Sequence, residues 1–83
     1  MSVMQVSRKV DYALRAVIYL SSQNDGRPVP VSEIASQRRI PQKFLEKIIT
    51  SLIRADLVHS HRGAHGGYTL ARHPEQISFR DVI

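Results

Sequence analysis

Apolar residues recur at helical spacing over residues 40–54. Leu45, Ile48, Ile49, Leu52 and Ile53 fall at i, i+3, i+4, i+7 and i+8. That stripe predicts an amphipathic helix docked on a core. Lys43, Glu46, Lys47, Thr50 and Arg54 fall on the other side, so the helix offers a polar, net-basic face outward. Pro41 suits its first turn, where a missing backbone N–H costs nothing.

Upstream, residues 1–6 read as a lead-in and Ser7 as the N-cap of a helix over residues 8–23. Val10, Leu14, Val17 and Ile18 share one face, and Tyr12, Ala16 and Tyr19 form a second. Only Arg15 interrupts the apolar character between Tyr12 and Leu20. A helix apolar almost all round is buried on more than one side. In a chain this short, the second face is expected in a subunit contact. Residues 24–28, NDGRP, carry turn chemistry. Val29, Pro30 and Val31 follow as an extended piece or short edge strand. Ser32 is expected to cap a two-turn helix over residues 32–39. Glu33 stands at its positive end and Arg38 and Arg39 at its negative end.

A short helix, a tight turn at Ile40 and Pro41, and a longer helix with a polar outer face predict a helix-turn-helix. In that arrangement the first helix braces the second, whose outer face can enter a major groove. Next, Val58, Ser60 and Arg62 alternate with Leu57, His59 and His61, a period-two strand. Residues 63–67, GAHGG, form a glycine-rich tip, and residues 68–71 return as a second strand. A hairpin directly after a helix-turn-helix makes a winged helix. Glycines at the tip let backbone N–H groups approach phosphate, and Arg62 can enter a narrow, strongly negative minor groove. Ser78 to Asp81 read as a capping box opening a further helix, which stops at Ile83 after little more than a turn. The predicted fold class is therefore mainly α with a small β-hairpin, in the order α-α-α-β-β plus the start of another helix. The domain is expected over residues 1–77, with residues 78–83 leading into an absent dimerisation or sensor region.

Charge gives the polar face a partner class. The 83 residues hold 12 Lys and Arg against 7 Asp and Glu, a net charge of +5. Between Arg38 and His65 there are six basic and two acidic residues, so the excess is concentrated. A concentrated basic patch on a small domain suggests a polyanion partner. There is no cysteine, which removes disulfide and thiolate chemistry. The first twenty residues mix Arg8, Lys9, Asp11 and Arg15 among apolar residues. They contain neither a signal-peptide core nor a run near the about 20 residues that span a bilayer. A cytoplasmic location and no membrane partner are expected.

Taken together, the strings DYALRAVIYLSS, VPVSEIASQRRIPQKFLEKIITSLIRADLV, RGAHGGYTLAR and SFRDVI carry a family resemblance. The chain resembles, over nearly all of residues 5–83, the DNA-binding domain of the bacterial regulators that include IscR, NsrR and CymR, the Rrf-two family. The resemblance implies a homodimer on a palindromic operator, acting as a repressor on double-stranded DNA. It places the recognition helix in the major groove and the wing in the adjacent minor groove. Pro41, Gln42, Lys43, Phe44, Glu46 and Lys47 are then the base-reading candidates, with Ser32 and Arg54 as further DNA contacts. Arg62 matches the minor-groove arginine, and Gly63, His65, Gly66 and Gly67 belong to the loop beside it. Two positions depart from the pattern: Pro41 stands where a capping Ser is common, and Lys47 where a neutral residue is frequent. The operator sequence therefore does not transfer from a relative. Asp11 aligns with an acidic cluster ligand of nitric-oxide-sensing members, and an iron–sulfur cluster is expected only through residues beyond Ile83.

Two other classes compete with this reading. The apolar first helix also suits a winged helix used for protein interaction without sequence-specific DNA binding. His59, His61, His65 and His73 lie close enough in sequence to suggest zinc, although structural zinc sites usually include cysteine. Catalysis finds no support, since there is no nucleotide-cradling loop ahead of a helix and no carboxylate pair on one face. No enzyme is expected.

Overall fold

Ser7 opens the first helix as its spacing predicts, its hydroxyl accepting from the Val10 N–H at 3.2 Å. A computed structural model of the protein describes residues 7–23 and 25–71. Helix α1 (Arg8–Ser22) buries Ala13, Ala16, Val17, Tyr19 and Leu20. The expected division of this helix is corrected here. Val10, Leu14 and Ile18 lie one turn apart on the side away from the core, and Ile18 is 58% exposed. Since nearly every position from Tyr12 to Leu20 is apolar, only packing against the other elements selects the buried side.

Helix α2 (Val31–Arg38) begins one residue before the expected Ser32 cap. Pro30 is the N-cap, and its carbonyl accepts the Glu33 and Ile34 N–H groups. The ring already holds φ at −65°, leaving Val31 free to start the helix, and Ser32 becomes an exposed second helical residue. The extended piece before it shrinks to one bridge. Val29 exchanges two N–H···O bonds of 2.9 Å with Tyr68. At its other end, α2 closes on Arg39 in the left-handed region at φ 54°, with the Ile40 N–H returning to the Ala35 carbonyl.

Helix α3 (Gln42–Arg54) buries Leu45, Ile48, Ile49 and Leu52, four of the five residues of the predicted stripe. The fifth, Ile53, sits at the stripe's edge and is 37% exposed. Pro41 is the N-cap rather than part of the first turn, because its ψ of 126° is extended. The helix ends on Asp56 at φ 62°. The Asp56 N–H reaches the Ile53 carbonyl and the Leu57 N–H the Leu52 carbonyl, a Schellman closure without glycine. Leu57 and Leu52 are both buried there.

Strands β1 (Val58–His61) and β2 (Gly67–Leu70) pair antiparallel, with Val58 opposite Leu70 and His61 opposite Gly67. Of β1 only Val58 is buried, so the hairpin leaves the core after its first residue pair. Helix α3 packs against α1, α2 and β1 around an apolar core in which none of the described residues is polar or charged. Three helices followed by a two-stranded hairpin make the winged-helix arrangement expected from the sequence. The capping box at Ser78, the helix start at residues 78–83 and His73 lie outside the described residues.

Candidate nucleic-acid interface

The buried stripe of α3 leaves Gln42, Lys43, Glu46, Lys47, Thr50 and Arg54 exposed, as the helical spacing dictates. This outer surface has two edges, along each of which successive residues stand one turn apart. Lys43 and Lys47 follow one another along the first, and Gln42, Glu46 and Thr50 along the second. The Gln42 amide approaches the Glu46 Oε2 at 3.5 Å, while Thr50 and Ser51 turn their hydroxyls back onto the helix carbonyls. Phe44 belongs to neither edge. It is 37% exposed and sets its ring against that of Tyr12 on α1.

Three ion pairs occur among the described residues: Arg15 with Asp11, and Arg27 with both Asp25 and Glu33. None uses Lys43, Lys47, Arg54 or Arg62. The cations of α3 and the wing thus face outward with no acidic partner among the described residues, which maintains a positive potential over that surface.

The wing tip presents Arg62, Gly63 and His65 as exposed residues, with Gly66 and Gly67 half-buried. The His61 Nε2 meets the Thr69 hydroxyl at 2.8 Å across the hairpin. Two of the glycines have a structural reason to be there. A Cβ on Gly67, whose φ is 155°, would lie 2.5 Å from the Val29 carbonyl carbon, and one on Gly66 would lie 2.4 Å from the His61 carbonyl oxygen. Gly63 differs: its φ of 112° demands glycine-like backbone, but nothing lies within 4 Å.

Helix α2 is braced by a cluster that spacing alone does not reveal. The Tyr19 hydroxyl donates to the Glu33 Oε2 at 2.6 Å, and the Arg27 guanidinium reaches the same oxygen at 3.4 Å. The Arg38 guanidinium lies over the Tyr19 ring, 5.2 Å from its centroid. The tyrosine hydrogen bond, then the arginine, holds the Glu33 carboxyl below its ordinary range. The same bond to Glu33, followed by desolvation, pushes the Tyr19 hydroxyl up.

Lys43, Phe44 and Lys47 are brought together along a groove that also takes in Pro41, Ile48 and Ser51 of the α3 segment and Lys9 of α1. Lys9 was not among the residues expected at the site. Its charge is visible in the sequence, but its place beside α3 depends on how α1 packs. Asp11 is engaged locally, its carboxylate 2.9 Å from the Arg15 guanidinium, which in turn lies over the Tyr12 ring. Among the described residues no three His, Asp or Glu side chains converge on a point that could hold a metal ion. With no cysteine in the chain, these residues offer no thiolate to an iron–sulfur cluster. Nor is any helix among the described residues long and apolar enough to cross a membrane.

Known proteins share this architecture. CymR (YrzC), the global cysteine regulator of B. subtilis, superposes with a TM-score of 0.90 at 32% identity over 96% of this chain and 62% of that one. IscR of T. potens gives a TM-score of 0.88 at 38% identity over 95% of this chain and 58% of that one. A Mycobacterium tuberculosis protein named as an HTH-type transcriptional regulator is 42% identical over 80 residues, 96% of this chain and 50% of its own length. A Synechocystis protein named in the same way is 39% identical over 80 residues, 96% of this chain and 54% of its own length. The chain thus spans about half the length of the curated relatives it matches. The family and these neighbours are transcriptional regulators, not enzymes. The family model described as Rrf2, iron-dependent transcriptional regulator, matches residues 6–83, and the chain belongs to the Rrf2 family.

Proposed function

We propose that this chain is the DNA-reading part of a cytoplasmic transcriptional repressor that binds a palindromic operator as a homodimer. The observation that carries the reading is the outward face of α3, whose cations have no acidic partner among the described residues. In this reading α3 enters the major groove. Gln42 and Glu46 offer the planar amide and carboxylate that pair with adenine and cytosine edges, while Lys43 and Lys47 supply charge. Ser32 and Arg54 contact the backbone from the ends of α2 and α3. Arg62 enters the adjacent minor groove, with Gly63, His65, Gly66 and Gly67 lying along it.

The half-exposed stripe of Val10, Leu14 and Ile18 suits a contact with a second copy. That same stripe favours the protein-interaction reading, and the two are compatible when the partner is the chain itself. An iron–sulfur cluster would have to draw any thiolate ligands from outside this chain, which holds no cysteine.

Selection from a pool of randomised duplexes with the intact protein tests the proposal. An inverted repeat should emerge, with half-sites about one helical turn, or a multiple of it, apart. Recovery of no preferred sequence would leave the protein-interaction reading in its place.

A further inference from the structure

The two edges of α3 lie in different surroundings. Beside the Lys43–Lys47 edge runs the groove of about 610 Å³ between the start of α1 and α3, with Lys9 contributed from the α1 side. Lys9 and Lys43 are far apart in sequence, so only tertiary packing brings these cations to one groove. Its apolar lining comes from Pro41, Phe44 and Ile48, and among the described residues no carboxylate lines it. None of the three lysines forms an ion pair with a described residue. The other edge carries Gln42 and Glu46, close enough to orient one another.

We propose that Lys9, Lys43 and Lys47 form one seat for a DNA sugar–phosphate strand across the α1–α3 groove, so that α3 is divided lengthwise between backbone holding and base reading. The proposal rests on the DNA-binding reading above. The chemistry of the groove matches a nucleic-acid backbone: deoxyribose offers an apolar face to Pro41 and Phe44, and phosphates meet the ammonium groups. Lysine is a flexible point charge suited to phosphate, and carries less directional information than a planar amide or carboxylate. Lys43 and Lys47, one turn apart, and Lys9 across the groove therefore set affinity without setting sequence preference. Gln42 and Glu46 set the preference. Phosphate contacts position a protein on the duplex, and base contacts specify the site.

The test measures fluorescence anisotropy of two labelled duplexes of equal length, the selected operator and a mixed-sequence control, across a salt series with the intact protein. Lys9→Gln should weaken binding to both by the same factor, about three- to tenfold. It should also reduce the magnitude of the log–log salt slope by about one per protomer. Lys9→Arg should restore both values, and unchanged melting of each variant excludes a folding effect. Lys43→Gln should behave like Lys9→Gln, whereas Glu46→Ala should shrink the ratio between operator and control. If Lys9→Gln left affinity and slope unchanged while the unmutated protein bound normally, the seat would be overturned. If Lys43→Gln collapsed the operator-to-control ratio as Glu46→Ala does, the lengthwise division would be wrong. Failure of the unmutated protein to bind either duplex would instead overturn the DNA-binding reading itself.

Discussion

Tyr12 of α1 and Phe44 of α3 meet edge to face, their ring centroids 5.4 Å apart and their planes at 87°. This geometry sets the negative face of one ring against the positive edge of the other. The contact ties the first helix to the helix that carries the outward basic face. A double-mutant cycle of Tyr12→Ala and Phe44→Ala, read by denaturant unfolding, should give a coupling of about 0.5–1.5 kcal/mol. Additive single effects would show that the rings merely adjoin.

Gly67 and Gly63 should respond differently to the same change. Alanine at Gly67 places its Cβ against Val29 backbone, at the point where Val29 and Tyr68 are bridged. Alanine at Gly63 meets open space and bears only the backbone penalty. Gly67→Ala should therefore cost more than about 2 kcal/mol, and Gly63→Ala about 1 kcal/mol. Thermal melting of the two variants checks the order, and equal losses would contradict it.

These residues also show what the sequence could disclose. The stripe Leu45, Ile48, Ile49 and Leu52 is legible because its spacing matches only a helix, and Ser7 is legible because its cap is local. The buried side of α1 is not, since a helix apolar almost all round gives periodicity nothing to select, and Ile18 turns outward. Ser32 is the better capping residue by type, yet Pro30 takes the position because its ring already fixes the extended entry. The glycines of the wing read as freedom to approach a surface. For Gly66 and Gly67 the structure gives a nearer cause, a backbone that leaves no room for a Cβ. Lys9 escapes notice because the groove it lines exists only once α1 and α3 are packed.

The Tyr19–Glu33 hydrogen bond predicts a pH dependence with two limbs. Glu33 is lowered in the folded state, so its contribution is present above the ordinary carboxylate range and is lost as pH falls through the folded value. Tyr19 is raised, so its contribution is present below the ordinary tyrosine value, and is lost as pH rises through the folded one. Tyr19→Phe removes the donor. It should lower the melting temperature near about pH 7, and by clearly less at a pH low enough to protonate the Glu33 carboxyl in both proteins. A loss of equal size at both pH values would assign the effect to packing alone.

On the proposed reading, the outward cations of α3 and the wing are held free for phosphate. Salt dependence of DNA binding tests it most directly. For the proposed homodimer, with about six to eight phosphate contacts, the plot of log affinity against log salt for a labelled operator duplex should have a slope near −5 to −7. Arg62→Ala should weaken binding about three- to tenfold without lowering the melting temperature, and should make the slope shallower. A flat salt response of the unmutated protein would contradict the account.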